Sequence, residues 1–182
     1  MALRKALTYS KRYARPYTRV SRAKSKSYIK VVPHNKVVRY NFGNVQSFIA
    51  GKYSFAIRLI TDENIQIRDT AIEASRQLLV KYLDEKLPNM YYLEIKVHPH
   101  HILRNNKMAA GAGADRLSSG MSQSFGTVEG RAAIVKKGHN VFIIHTENDA
   151  HARIARDTMQ MVKAKLPCRA KIIFEHAPKL IN

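Results

Sequence analysis

The chain contains several stretches in which apolar and polar residues alternate, the pattern of a strand with one buried face. Gly and Pro residues bound many of these stretches, which favours short strands over helices. The predicted strands are Tyr53–Leu59, Tyr91–Val97, Thr127–Val135, Val141–Thr146 and Ala170–Glu175. The segment Lys136–His139 separates the third strand from the fourth and contains Gly138, so it predicts a hairpin turn between them.

Two other segments repeat apolar residues every three or four positions, which predicts amphipathic helices. The first helix is predicted at Asp69–Lys86, with Asp69 as its N-cap and Pro88 beyond its end. The second is predicted at Asn148–Lys165. Each helix leads into a predicted strand. This order predicts an α+β sandwich in which two helices cover a mixed or antiparallel sheet.

The charge of the chain is strongly positive and unevenly distributed. Among 182 residues there are 32 Lys and Arg against 13 Asp and Glu, a formal net charge of +19. Fourteen of the basic residues and no acidic residue lie in residues 1–61, whereas residues 62–182 carry a net +5. Such a balance predicts a polyanionic partner, most simply nucleic acid and less simply an acidic membrane surface.

Composition also excludes several classes of protein. The chain is 45% hydrophobic, which is enough for a packed core. A single cysteine, Cys168, excludes an intramolecular disulfide framework and any Cys-rich zinc module. No apolar run approaches the roughly 18 residues of a membrane helix, and charges interrupt every signal-peptide core near the N-terminus. We therefore expect a soluble protein of the cytoplasm with no membrane partner.

The first 35 residues are predicted to form a basic RNA-binding arm ahead of a single domain at residues 36–182. Within the arm, Lys and Arg are interleaved with tyrosines, Ser and Thr. Cations neutralise phosphates, tyrosines stack on unpaired bases and hydroxyls bond to phosphate oxygens. The alternative is a solvated basic tail with no particular partner. The predicted RNA-binding residues are Arg4, Lys5, Lys11, Arg12, Arg15, Arg19, Arg22, Lys24, Lys26 and Lys30.

A long loop is predicted at residues 98–126, between two strands. Loops of more than about 12–15 residues are uncommon in compact domains and are often functional. This one contains Gly111, Gly113, Gly120 and Gly126 together with several basic residues. Glycine lets the backbone approach a ligand closely. The loop is therefore the second candidate binding segment.

Enzymatic chemistry has little support in this loop. Gly111–Arg116 begins like a dinucleotide-binding fingerprint, but its sixth position is Arg and no Rossmann repeat surrounds it. His98, His100 and His101 suggest a metal site, yet no H-E-x-x-H helix or nearby cysteine accompanies them. We predict no catalytic residue, no metal site and no cofactor. An RNA-modifying enzyme and a free-standing RNA-binding regulator remain the alternative functions.

Four stretches of the loop closely resemble the archaeal and eukaryotic large-subunit ribosomal protein L-ten-e, the counterpart of bacterial L-sixteen. They are His98–Arg104, Asn106–Met108, Ala112–Leu117 and Gly120–Met121. The resemblance begins in the arm at Lys11–Tyr17 and continues to the final strand, so it covers nearly the whole chain. The intracellular, disulfide-free character and the short C-terminal part resemble the archaeal form of the family more than the eukaryotic one. After Met121 the sequence reads Ser-Gln-Ser-Phe-Gly and departs from the more basic continuation of eukaryotic members.

The resemblance implies an α/β-hammerhead fold and a structural role in the large ribosomal subunit. The implied partners are large-subunit rRNA near 5S rRNA, other large-subunit proteins and tRNA in the aminoacyl site. In that family the arm threads between rRNA helices and the long loop points towards the peptidyl transferase centre. The residues predicted to lie there are His100, His101, Arg104, Lys107, Arg116, Met121, Gln123 and Phe125.

Overall fold

A computed structural model describes residue 29 and residues 31–105 and 126–176. These residues form eight strands and three helices. The strands are β1 (Asn41–Gly43), β2 (Phe55–Thr61), β3 (Ile65–Arg68), β4 (Tyr91–Ile95), β5 (His101–Asn105), β6 (Thr127–Val135), β7 (Asn140–Thr146) and β8 (Ala170–His176). The helices are α1 (Val45–Ile49), α2 (Asp69–Lys86) and α3 (Asp149–Val162), and a 3₁₀ turn at Lys163–Lys165 continues α3.

The strands form two antiparallel sheets. The larger has the order β1-β4-β7-β2-β8, and the smaller has the order β3-β6-β5. In the larger sheet β2 and β7 are neighbours. The other neighbour of β7 is β4, which follows α2 in the chain, and the other neighbour of β2 is β8, which follows α3. Two strand–helix–strand units are thereby interleaved in one sheet. The predicted α+β sandwich is confirmed, with every described pairing antiparallel.

The core lies between one face of the larger sheet and helices α2 and α3. Ile57 and Phe142 from the sheet, Leu79 from α2 and Met159 from α3 are all fully buried in one cluster. Ile67 of the smaller sheet joins the same cluster, so both sheets share one core. Each such side chain contributes about 1.5–3 kcal/mol through its burial. Hydrophobic packing therefore joins the two sheets, since none of the strands that the structure describes pairs across them.

Helix α2 has the predicted bounds, but its predicted N-cap is wrong. Arg68 is the N-cap residue, and Asp69 is the first residue of the helix. The Asp69 carboxylate accepts a hydrogen bond of 2.8 Å from the Thr70 backbone N–H and one of 3.2 Å from that of Lys36. A negative charge in the first turn is favourable because it faces the positive end of the helix dipole. Asp69 also fixes a distant part of the chain, which its sequence neighbours do not indicate.

The predicted hairpin at Lys136–His139 is also wrong. A turn is present, with Gly138 at φ +82° and a bond of 3.2 Å from the His139 N–H to the Lys136 carbonyl. However, β6 belongs to the smaller sheet and β7 to the larger one. The turn residues instead bond with Thr61 at the end of β2. A turn sequence specifies that the chain reverses, whereas burial of apolar faces decides which strands pair.

The predicted loop at residues 98–126 begins later than expected. Its first part contains strand β5, in which His101 lies opposite Ala132 of β6. The sequence does not show this strand by alternation, because His101, Ile102 and Leu103 are buried in succession. Residues 106–125 lie outside the described part of the chain.

The outer face of the larger sheet, opposite the helices, carries an aromatic cluster. Phe48 of α1 stacks on Tyr92 of β4 with ring centroids 4.3 Å apart, and its ring centroid lies 4.7 Å from that of His145, the cross-strand partner of Tyr92. Tyr92 is therefore only 5% exposed, although alternation places it on the polar face of its strand. Burial lowers the pKa of His145 to about 4, and Arg58 and Lys96 act in the same direction against Glu94.

We expect His145 to make the stability of the fold dependent on pH. Its folded pKa lies below the usual 6.5, so between pH 6.5 and 4 the unfolded chain binds a proton that the folded chain does not. As the pH decreases from 6.5 to 4, the free energy of unfolding should therefore fall by as much as about 3 kcal/mol. Urea titrations of His145→Gln should show a smaller fall. His139→Gln, in an exposed turn, should keep the original pH dependence, and equal profiles for all three proteins would contradict the prediction.

Candidate nucleic-acid interface

Residues Val31–Tyr40 lead from the predicted arm into the domain, and we call this segment the arm root. Hydrogen bonds attach it to the rest of the domain. Arg131 of β6 donates a hydrogen bond of 2.7 Å from Nε to the Pro33 carbonyl. The Lys36 backbone N–H donates to Asp69 at the start of α2, as described above. The arm root is thus attached to both the smaller sheet and helix α2.

The second half of the arm root contacts the residues just before β5. Asn35 donates a hydrogen bond of 2.9 Å to the Tyr40 hydroxyl, which lies 2.7 Å from Nδ1 of His98. Nδ1 of His100 lies 3.0 Å from the His98 carbonyl and donates to it, since a carbonyl can only accept. The histidine cluster suspected as a metal site therefore includes a connection between the arm root and the start of the predicted loop.

The described residues on either side of residues 106–125 lie beside each other. Asn105 at the end of β5 pairs with Thr127 at the start of β6, and the Thr127 hydroxyl donates to the Asn105 carbonyl at 3.3 Å. His101, at the other end of β5, is 4% exposed, and this burial lowers its pKa, with His100 and Arg104 contributing. The end of β5 and the start of β6 are therefore adjacent in the smaller sheet.

The arm root and the strands that carry the loop form the walls of a single hollow of about 290 Å³, which we call the interface groove. Pro33, His34 and Lys36 contribute one wall. The remaining walls are formed by Arg68, Asp69, Thr70, Leu103, Glu129, Gly130 and Arg131. The groove is thus lined by the last residues of the predicted arm, Pro33 and His34, and by Leu103 at the described start of the predicted loop.

A second hollow of about 260 Å³ lies beside the first, and Lys36 lines both. Its floor is Phe42, which has the guanidinium groups of Arg39 and Arg76 over its ring, 5.2 and 5.0 Å from the ring centroid. Arg76 donates two hydrogen bonds to Glu73, which lowers the pKa of that carboxyl. Cations over an aromatic face are stabilised by the ring and still carry their charge to the surface.

Few of the residues predicted for binding lie in the described part of the chain. Of the loop residues, His100 and Arg104 are half-buried and His101 is buried. The other predicted loop residues, Lys107, Arg116, Met121, Gln123 and Phe125, lie outside it. So do all ten arm residues from Arg4 to Lys30. The assignment of these side chains to rRNA or tRNA stays a prediction.

Sequence reasoning missed the cations that surround the two hollows: Lys36, Arg39, Arg68, Arg76 and Arg131. Lys36 and Arg39 could have been found, because they belong to the acid-free first third of the chain. The other three come from α2 and the smaller sheet, and each has acidic residues nearby in sequence. Only the fold brings them next to the arm root.

Residues 29, 31–105 and 126–176 contain no cluster of side chains that supports a metal site. There, no group of three or more His, Cys, Asp or Glu side chains is arranged to hold a metal ion. Cys168 is half-buried against the core, and burial raises the pKa of its thiol to about 11. No described helix is long and apolar enough to cross a membrane.

These features define a class: an α+β domain preceded by a long, acid-free basic segment, as found in proteins that bind RNA. The particular family follows from comparison with known proteins. The chain belongs to the family described as Ribosomal protein L16p/L10e, whose model matches residues 14–173.

Several relatives are similar to the chain over almost its full length, and each bears the name large ribosomal subunit protein uL16. The protein of Staphylothermus marinus is 40% identical over 176 residues, which are 96% of this chain and 95% of the relative. That of Methanococcus aeolicus is 39% identical over 185 residues, 100% and 99% of the two chains. That of Sulfolobus acidocaldarius is 39% identical over 175 residues, 94% and 93% of them.

Family membership confirms the coarse functional predictions. The chain is a structural protein of the large ribosomal subunit and not an enzyme, and it associates with rRNA and other ribosomal proteins. The relatives named above come from archaea, in agreement with the archaeal form of the family predicted from the sequence.

Proposed function

We propose that the chain anchors large-subunit rRNA near 5S rRNA through the arm, the arm root and the interface groove. We further propose that residues 98–126 help to shape the aminoacyl-tRNA site of the cytoplasmic ribosome. The observation that carries the proposal is the common groove, in which the arm root and the strands bearing the loop meet. One protein surface can thereby hold rRNA and orient the loop.

The mechanism is electrostatic and geometric. Crowded rRNA phosphates repel one another, and cations of the arm and of the groove neutralise them while releasing counterions. The arm root is fixed through Pro33 and Lys36, so rRNA bound there has a defined position relative to the smaller sheet. Asn105 and Thr127, which flank residues 106–125 in the sequence, pair in that same sheet. Phosphate contacts of this kind position the partner without reading its sequence.

Reversal of charge at the groove should weaken rRNA binding. Lys36 is exposed and lines both hollows, so Lys36→Glu should lower affinity for large-subunit rRNA fragments about tenfold and flatten the slope of log K against log salt by about 1. Lys86→Glu makes the same charge change at the far end of α2, about 25 Å from Asp69 along the helix. Filter binding across a salt series measures both, and equal losses for the two variants would contradict a role for the groove.

The tRNA part of the proposal requires assembled subunits. Zero-length crosslinking of large subunits should join the acceptor end of aminoacyl-tRNA to residues 98–126 when the aminoacyl site is filled. Subunits that carry tRNA only in the peptidyl site are the control and should give rRNA crosslinks to the chain without the tRNA ones. Absence of tRNA crosslinks in both samples would leave rRNA binding intact and overturn the role of the loop.

A further inference from the structure

The second hollow, beside the interface groove, has a positively charged lining. Its volume is about 260 Å³, and its walls are formed by Lys36, Val38, Arg39, Phe42, Glu73 and Arg76. Three of these side chains are cations and one is a carboxylate, which leaves a formal charge of +2. Pockets for drug-sized ligands have volumes of about 300–1,000 Å³. This hollow therefore suits a smaller, anionic group.

The carboxylate of the second hollow is engaged by one of the three cations. Nε of Arg76 donates a hydrogen bond of 2.9 Å to Oε2 of Glu73, and Nη2 of Arg76 donates to Oε1. Gln77 donates a third bond of 3.1 Å to the same Oε1. Glu73 and Arg76 therefore form a neutral pair on α2. The positive charge that remains in the lining belongs to Lys36 and Arg39 of the arm root.

Arg39 is exposed, and its guanidinium contacts a ring rather than a carboxylate. Its Cζ lies 5.2 Å from the centroid of the Phe42 ring. Among the described residues, the side chains of Arg39 and Lys36 form no ion pair with an acidic residue. Contact with the ring restricts the arginine side chain and is favourable for its charge. Its N–H donors are thereby left for a ligand.

We propose that the second hollow binds one backbone phosphate of the large-subunit rRNA. The Arg39 guanidinium donates two parallel hydrogen bonds to its oxygens, and the Lys36 ammonium supplies a second charge. The planar fork of an arginine matches phosphate geometry, whereas a lysine acts as a point charge. The proposal rests on the proposed rRNA function. It adds to that function a single contact that depends on the geometry of one side chain as well as on its charge.

Two substitutions of Arg39 separate geometry from charge. Arg39→Lys keeps the charge and removes the fork, so it should bind large-subunit rRNA fragments about fivefold more weakly with an unchanged slope of log K against log salt. Arg39→Gln removes both, so it should bind about tenfold more weakly with a slope flatter by about 0.7–1. Arg156 of α3 is exposed and lines neither hollow, so Arg156→Lys is the matched control and should bind like the parent. Because all three changes are at exposed side chains, circular dichroism and melting temperature should stay those of the parent.

Ethylation interference locates the contact on the RNA. Ethylation of one particular phosphate should hinder binding of the parent protein and of Arg156→Lys but not of Arg39→Gln, because a neutral triester lacks the charge that Arg39 binds. A methylphosphonate at this linkage should weaken the parent about tenfold and Arg39→Gln less than about twofold, as expected of interacting partners in a double-mutant cycle. Equal affinities of Arg39→Lys and the parent, or identical interference patterns for the parent and Arg39→Gln, would overturn the proposal. Failure of the parent protein to bind any large-subunit rRNA fragment would instead refute the proposed function.

Discussion

Removal of residues 1–28 is expected to flatten the salt dependence of rRNA binding by about 6 in the slope of log K against log salt. This segment contains nine of the ten predicted arm cations, all except Lys30. If about eight of them each meet a phosphate, the expected change is about 0.7 per contact for single-stranded segments. Filter binding between 50 and 300 mM salt measures the slope. The deletion should stop at Tyr28, because Ile29 is 1% exposed and belongs to the folded part of the chain.

A second variant separates charge from stacking in the arm. In it the nine cations become Gln while Tyr9, Tyr13, Tyr17 and Tyr28 remain. The slope should fall as far as in the deletion, but part of the affinity at high salt should survive, because base stacking is not screened. A slope that is unchanged in both variants would show that the arm is not in contact with phosphates.

The substitution with the largest expected effect on stability is Gly43→Ala, at the end of β1. Gly43 has φ +85°, and a Cβ there would lie 2.2 Å from the carbonyl oxygen of Tyr91. That oxygen accepts a hydrogen bond of 2.9 Å from the Asn44 N–H, so the backbone cannot move aside without losing it. The left-handed conformation costs about 1–2 kcal/mol for a residue with Cβ, and the lost hydrogen bond costs a further 1–3 kcal/mol. We expect the free energy of unfolding to fall by about 3 kcal/mol.

Gly51→Ala is the matched control for this prediction. Gly51 has a similar φ of +68°, but a Cβ there would meet nothing within 4 Å. Its substitution should therefore cost only the conformational part, about 1 kcal/mol. Urea titrations of both variants give the comparison. Equal losses would mean that the approach of β1 to Tyr91 is not tight in solution.

The helices show how far local sequence information reaches. Helix α2 has its predicted bounds, and Asn148 precedes α3 as its N-cap residue. Both results follow from apolar spacing and from Pro and capping residues, which act within a few positions of the chain. The predicted N-cap of α2 is wrong by one residue, because Arg68 takes this position without a side-chain hydrogen bond. The hydrogen bond from Lys36 to Asp69 spans 33 residues and has no local pattern.

The candidate site likewise has parts that the local sequence indicates and parts that only the fold creates. The acid-free arm and the glycine-rich loop are visible as composition, so sequence alone indicated two RNA-binding segments. The groove between them could not be predicted, because Arg131 reaches Pro33 across 98 residues. The bulge at Glu129 could not be predicted either, because it depends on the register between β5 and β6.

The sequence by itself determined the class of partner, the family and the order of the two long helices and five of the eight described strands. Charge, motif and apolar period are properties of neighbouring residues, and folding does not alter them. Only the tertiary structure decided that β6 and β7 part into different sheets and that the arm root meets the loop-bearing strands. These outcomes depend on which apolar faces can be buried together in one core. Burial is a property of the whole chain, so residues far apart in sequence acquire a common site only after they are packed.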